Sequence, residues 1–179
     1  MKPPASLIIA ILALTLPACE KKTTAPANAP QAAASLDPFF VGTPPASPAA
    51  IHSIRATAKP GETVTITGLV MGREAPFVDG RAAFVLGDRS VLTPCDENPG
   101  DECATPWDTC CDTPEDKQRA TATIQLLDKN GRVIKQSLKG THGLTELSTV
   151  TLTGIIDKAS TSEALIINAS QLHVTPRKR

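Results

Sequence analysis

The chain has 179 residues, 41% of them hydrophobic and 3% aromatic, and it contains no tyrosine. Eighteen Lys and Arg balance eighteen Asp and Glu, so it is neutral overall, although the two signs are unevenly spread. The 129 residues from Ile51 to the end suffice for one compact core and exclude a second.

The N-terminus carries a lone charge, Lys2, followed by an apolar run from Leu7 to Leu16. At about ten residues the run matches the core of a signal peptide and is too short for a membrane-spanning helix, which needs ~20. It ends in Leu16-Pro17-Ala18-Cys19, with a branched residue three before the cysteine and a small one directly before it. This resembles the lipobox of bacterial lipoproteins, although Pro17 is a less usual occupant of its place. The resemblance implies that residues 1–18 are removed as a lipoprotein signal peptide. It further implies that Cys19 carries a diacylglycerol thioether and acyl chains (palmitate, for example) that hold the protein permanently to a membrane of the cell envelope. The plainer reading is an ordinary signal peptide cut near Ala18. Glu20, rather than Asp, follows the cysteine. By the sorting rule of some Gram-negative lipoproteins this favours the outer membrane over the inner, with the protein facing the periplasm.

Residues 19–50 are expected to form the lipidated cysteine and a disordered tether. The segment is rich in Ala, Thr and Ser and holds six prolines, at positions 26, 30, 38, 44, 45 and 48. Such a composition buries too little to offset backbone entropy. One apolar island interrupts it, Leu36-Asp37-Pro38-Phe39-Phe40-Val41. Phe39 and Phe40 are expected either to pack on the following domain as an arm or to dock a partner.

Residues 51–179 read as one all-β domain. Thr, Val and Ile recur in short runs broken by Gly, Pro and Asn. Thr63–Val70 alternates, with Val64 and Ile66 on one face. Arg81–Leu86 places Ala82, Phe84 and Leu86 together, and Thr121–Leu127 does so for Ala122, Ile124 and Leu126. Asn130-Gly131 predicts a hairpin turn into a strand over Arg132–Leu138. Thr149–Ile156 and Leu165–Val174 complete the set, the last with a parity change that predicts a bulge near Ser170. Residues 63–70 (TVTITGLV) and 149–156 (TVTLTGII) are near copies, each with an internal glycine, Gly68 and Gly154, that marks a bend or a close backbone approach.

Over residues 56–175 this pattern resembles an OB-fold, a five-stranded Greek-key barrel. The carrying features are a bent first strand at Gly68, a second strand with Phe84, a third strand leading into a hairpin, the short Leu144–Leu147 segment, and two closing strands. The resemblance implies that the first and fourth strands pair, which sets the near copies side by side. Including the hairpin strand, the expectation is a five- to six-stranded barrel bearing a disulfide-stapled loop. The chain also looks like OB-fold lipoproteins of bacterial envelopes, a group without an assigned activity, through the loop ending Thr105-Pro106-Trp107-Asp108-Thr109-Cys110-Cys111. An immunoglobulin-like sandwich is the alternative, because Pro60-Gly61-Glu62-Thr63-Val64-Thr65 also opens such domains.

The cysteine-rich acidic loop, residues 94–116, holds Cys95, Cys103, Cys110 and Cys111, the single tryptophan Trp107, and eight acids without a Lys or Arg. With Cys19 lipidated, four cysteines remain, and in an oxidising compartment two disulfides are the default, with three connectivities open. Joining Cys110 to Cys111 would close a strained ring. Cys95 and Cys103 are therefore each expected to pair with one of those neighbours. Zinc sites favour two to four residues between paired cysteines, and the gaps here are seven, six and none. A copper-like soft-metal site has no motif behind it. The calcium-loop pattern fails at Asp101 and Trp107, and no Cys-x-x-Cys redox pair occurs. The expectation is no metal ligand set and no cofactor, with Trp107, Asp101 and Glu102 as candidate ligand contacts on an acidic protrusion.

Three functions are compatible with this sequence. The first is a membrane-anchored binding or scaffold module for a small molecule, a glycan or a protein. The second uses the Cys95–Cys111 loop for metal binding or thiol redox chemistry. The third is oligonucleotide binding, which is disfavoured: Phe84 is the sole aromatic of the second and third strands and points inward, and Arg73, Arg81, Arg89, Lys135 and Lys139 are scattered. The basic tail Arg177-Lys178-Arg179 equally suits anionic lipid. An enzyme is disfavoured too, because no Gly-x-Ser-x-Gly, phosphate loop or His-Glu-x-x-His is present and His52, His142 and His173 are dispersed.

Overall fold

The structure is a computed structural model that describes residues 35–57, 59–100 and 102–177. The expected signal peptide, Cys19, the first part of the expected tether, Asp101 and the last two residues of the basic tail lie outside the described residues. In chain order the elements are β1 (Ala49–Ala50), α1 (Ile51–Thr57), β2 (Thr63–Val70), β3 (Ala83–Gly87), α2 (Pro114–Ala120), β4 (Thr121–Gln125), β5 (Thr149–Ile156) and β6 (Ile166–Thr175). Single 3₁₀ turns occur at Asp37–Phe39, Cys95–Glu97 and Thr141–Gly143.

The strands run in the order β1-β2-β3-β4-β6-β5, and β5 returns to pair with β2. Strands β2 to β6 therefore close into a five-stranded barrel, with β1 added in parallel outside it. The only parallel pair within the barrel is β4 with β6. This is the connectivity of an OB-fold-like Greek-key barrel, and closure rules out the two-sheet sandwich. The near-copy strands β2 and β5 pair antiparallel over seven positions, from Thr63 opposite Ile155 to Leu69 opposite Thr149.

Alternation explains the packing. Val64, Ile66, Phe84, Ala122, Ile124, Val150, Leu152, Ile167 and Leu172 point into one core. The outward threonines of β2 and β5 form a ladder: Thr65 and Thr153 share a hydrogen bond of 2.9 Å, and Thr67 and Thr151 one of 3.1 Å. Each such pair contributes roughly 0.2–1 kcal/mol. The bulge lies where the parity change placed it, since Gly154 faces Ala169 while Thr153 faces Gln171, leaving Ser170 between them.

Two sequence expectations need correction. The turn at Asn130-Gly131 forms, with the Asp128 amide donating to the Arg132 carbonyl at 2.8 Å, but Arg132–Leu138 is not a strand. The ladder ends after one bridge, Leu127 to Val133, because the Ile134 carbonyl turns to accept the Ala82 amide at 2.8 Å. The domain also begins before Ile51. Leu36 is buried, the Phe40 backbone bridges Leu172, and Phe39 and Phe40 pack on the core. Residues 36–50, expected to belong to the tether, form an arm on the barrel. His142 holds it, its ring stacked on Phe40 at 4.3 Å and its Nε2 2.9 Å from Asp37 Oδ1. That hydrogen bond holds the Asp37 carboxyl below its ordinary value. His173 Nδ1 lies 3.1 Å from the Val41 carbonyl and adds a second clasp.

Candidate binding cleft and cysteine loop

The connection from β3 to β4 carries the cysteine loop, and a second apolar cluster fixes it to the barrel. Leu69, Met71, Leu92, Ala120 and Leu147 are buried together, with Val91 and Trp107 packed against them. The Trp107 indole N–H donates to the Glu74 carbonyl at 2.8 Å, and the Trp107 carbonyl accepts the Gly72 amide at 3.2 Å. Trp107 thus ties the loop to the β2–β3 connection, leaving its ring half-buried. Glu102 is exposed and the structure brings it to neither cavity described below.

The loop is less irregular than its sequence suggests. Cys95–Glu97 forms a 3₁₀ turn, and α2 starts at Pro114 behind the Thr113 cap, whose hydroxyl accepts the Asp116 amide at 3.1 Å. The Thr-Pro-Glu-Asp run was the readable signal for that helix. Nor do the loop acids stand unopposed. Asp96 pairs with Arg177, Glu97 with Arg89 at 2.6 Å and Asp116 with Arg119 at 2.8 Å, while Asp112 accepts the Thr93 amide at 3.0 Å.

Beside this loop lies a cleft of about 540 Å³. Gly72, Arg73 and Glu74 line it from the β2–β3 connection, Val85 from β3, and Thr121 and Thr123 from β4. Glu163 contributes from the β5–β6 connection, Asp108 from the cysteine loop, and Pro114, Lys117 and Gln118 from α2. A smaller cavity of about 210 Å³ lies near Leu69, Arg89, Leu147 and Arg177. The cleft's charges are mixed, two bases with three acids, among threonine hydroxyls and a glutamine amide.

A second constellation escaped sequence reasoning. Asp88, 4% exposed, accepts the His52 amide at 3.1 Å and lies 2.8 Å from His52 Nδ1, while Ser53 Oγ is 3.2 Å from His52 Nε2. The order acid, imidazole, hydroxyl matches a nucleophile relay. However, Ser53 is exposed on α1 and neither cavity is lined by these residues. The carboxylate also receives the Ser90 amide at 2.9 Å and hydroxyl at 2.6 Å. Burial pushes the Asp88 carboxyl up, but the bonds from Ser90 and His52 outweigh it and hold the group below its ordinary value. Asp88 works as a clasp between α1 and the end of β3.

The sulfurs of Cys95, Cys103 and Cys110 converge, and that of Cys111 approaches Cys110. Cys95 Sγ lies 3.3 Å from Cys110 Sγ, Cys103 Sγ 3.5 Å from Cys110 Sγ, and Cys110 Sγ 3.8 Å from Cys111 Sγ. Burial, and then the hydrogen bond with Cys110, push the Cys95 thiol up.

Fold and site together define a class: an OB-fold-like barrel with a cysteine-rich insertion between its second and third barrel strands. The chain matches no family model, no curated protein and no solved structure. Among the described residues no helix is long and apolar enough to cross a membrane.

Proposed function

We propose that the chain is a lipid-anchored envelope lipoprotein whose barrel works as a binding module for a small polar ligand, such as an oligosaccharide or a short peptide. One observation carries the reading. The cleft sits over the second and third barrel strands, β3 and β4, between the connections β2–β3 and β5–β6. OB-folds take their ligands on that face and between those loops. The lining supports the ligand class. Arg73, Lys117, Gln118, Thr121 and Thr123 offer donors, and Glu74, Asp108 and Glu163 offer acceptors. A phosphate backbone would meet three carboxylates there, which disfavours a nucleic acid. The anchor rests on Leu16-Pro17-Ala18-Cys19 and the apolar run before it.

Chemical-shift mapping of the isotope-labelled protein against a panel of soluble oligosaccharides and dipeptides tests the reading. Binding should move the amide signals of Gly72, Glu74, Thr121, Thr123 and Glu163 together. Shifts confined to the opposite side of the barrel would overturn it.

A further inference from the structure

We propose that Cys95, Cys103 and Cys110 form a binding site for one soft, thiophilic metal ion. The three sulfurs all lie within 4.8 Å of one another, although seven and six residues separate them along the chain. Spacing alone argued against a site because it assumed that neighbouring cysteines supply each half. The fold supplies the convergence by other means. The Cys95 amide donates to the Asp108 carbonyl at 2.8 Å and the Asp96 amide to the Pro106 carbonyl at 3.0 Å. These two rungs bind the start of the loop to its end, and the Trp107 clasp fixes both to the barrel. The ligand frame is thus held by backbone and by a packed aromatic.

Distance and chemistry point the same way. Thiolates bound at about 2.3 Å around a tetrahedral ion stand about 3.8 Å apart. Two of the separations, 3.3 and 3.5 Å, lie just below that value, and the third does not exceed 4.8 Å. The donor set is all sulfur, which selects ions such as Zn(II) or Cu(I) over Mg(II) and Ca(II). Burial is graded: Cys95 is buried, Cys103 intermediate and Cys110 exposed. The ion has an open side for entry and for a fourth ligand. Lys117 Nζ donates to the Cys110 carbonyl at 3.3 Å and places a cation beside the charge that three thiolates bring.

Binding involves no electron transfer. Three thiols each lose a proton, three metal–sulfur bonds form, three protons are released and the ion keeps its oxidation state. Because each ligand must shed its proton, the affinity rises with pH. The two disulfides expected from sequence would use the same sulfurs, so metal and disulfides exclude one another.

The test uses the full chain in detergent, reduced and then handled without oxygen, with Co(II), Zn(II) and Cu(I) as separate probes. One equivalent of Co(II) should give a thiolate-to-cobalt charge-transfer band that Zn(II) removes, or one equivalent of Cu(I) should be held against a chelator. Either result supports the site and identifies its ion class. Cys103→Ser and Cys110→Ser, both away from the core, should each weaken binding by more than about 100-fold. Cys111→Ser, outside the three-sulfur group, should change it by less than about tenfold. Uptake of none of the three ions by the reduced protein would overturn the proposal. So would equal loss in Cys111→Ser and Cys110→Ser.

Discussion

Gly154 in β5 faces Val64 across the ladder, and a Cβ built on it would stand 2.6 Å from the carbonyl oxygen of Asn168 in β6. Its counterpart in the near-copy strand, Gly68, would bring a Cβ 2.8 Å from the Gly87 carbonyl and 3.0 Å from Ile51 Cδ1. Each glycine lies in a strand shared by two neighbours, where the backbone of one of them comes too close for a side chain. Gly68→Val and Gly154→Val should each lower stability by about 1–3 kcal/mol through overpacking. Thermal or urea unfolding checks this, and unchanged midpoints in both variants would show that the close approach does not matter.

The buried Asp88 clasp sets an acid dependence. Its carboxyl is held below the ordinary value, so as pH falls the unfolded chain takes up the proton first. The stabilisation is complete above the ordinary carboxylate value of about 4 and is lost as pH falls through the lower, folded value. Asp88→Asn should cost about 1–3 kcal/mol at neutral pH, because one oxygen that accepts bonds becomes an amide donor facing N–H and O–H groups. It should also flatten the melting temperature against pH below about 4. Melting curves of both forms across that range decide it.

Much of the barrel was legible because its strands obey a period of two and its glycines punctuate them. Thr63–Val70 and Thr149–Ile156 coincide with β2 and β5, and the bulge at Ser170 follows from the parity change. The supposed strand over Arg132–Leu138 stops short for a tertiary reason: the Ile134 amide still donates to the Leu126 carbonyl at 3.0 Å, but its own carbonyl is taken by the Ala82 amide. The short helix α1 was hidden because the burial of Ile51 and the clasp from Asp88 come from distant parts of the chain. The candidate site was less legible still. The cleft is assembled from segments spanning Gly72 to Glu163, and each contributes residues that look ordinary by themselves. Cysteine spacing did not foretell that the Cys95, Cys103 and Cys110 sulfurs lie within 4.8 Å of one another, because they meet through loop folding. The arm at Leu36–Val41 was visible as an apolar island, but its clasps by His142 and His173 were not.

The proposed lipidation of Cys19 makes a separate prediction. Growth with an alkyne-bearing fatty acid should label the native chain, and Cys19→Ala should abolish the label and leave the protein unprocessed or soluble. Undiminished label in Cys19→Ala would rule out lipidation at that cysteine.

If the cleft over β3 and β4 holds the proposed ligand, a bulky side chain placed in it should block binding. Thr123 lines it from β4, where its side chain is half-buried and its backbone pairs with Val85. The binding isotherm of the tightest oligosaccharide or dipeptide from the mapping panel should be measured for the native protein and for Thr123→Arg, with melting as the control for folding. Thr123→Arg should lose at least about tenfold in affinity, about 1.4 kcal/mol, with the barrel intact. An unchanged isotherm in a folded Thr123→Arg protein would contradict it.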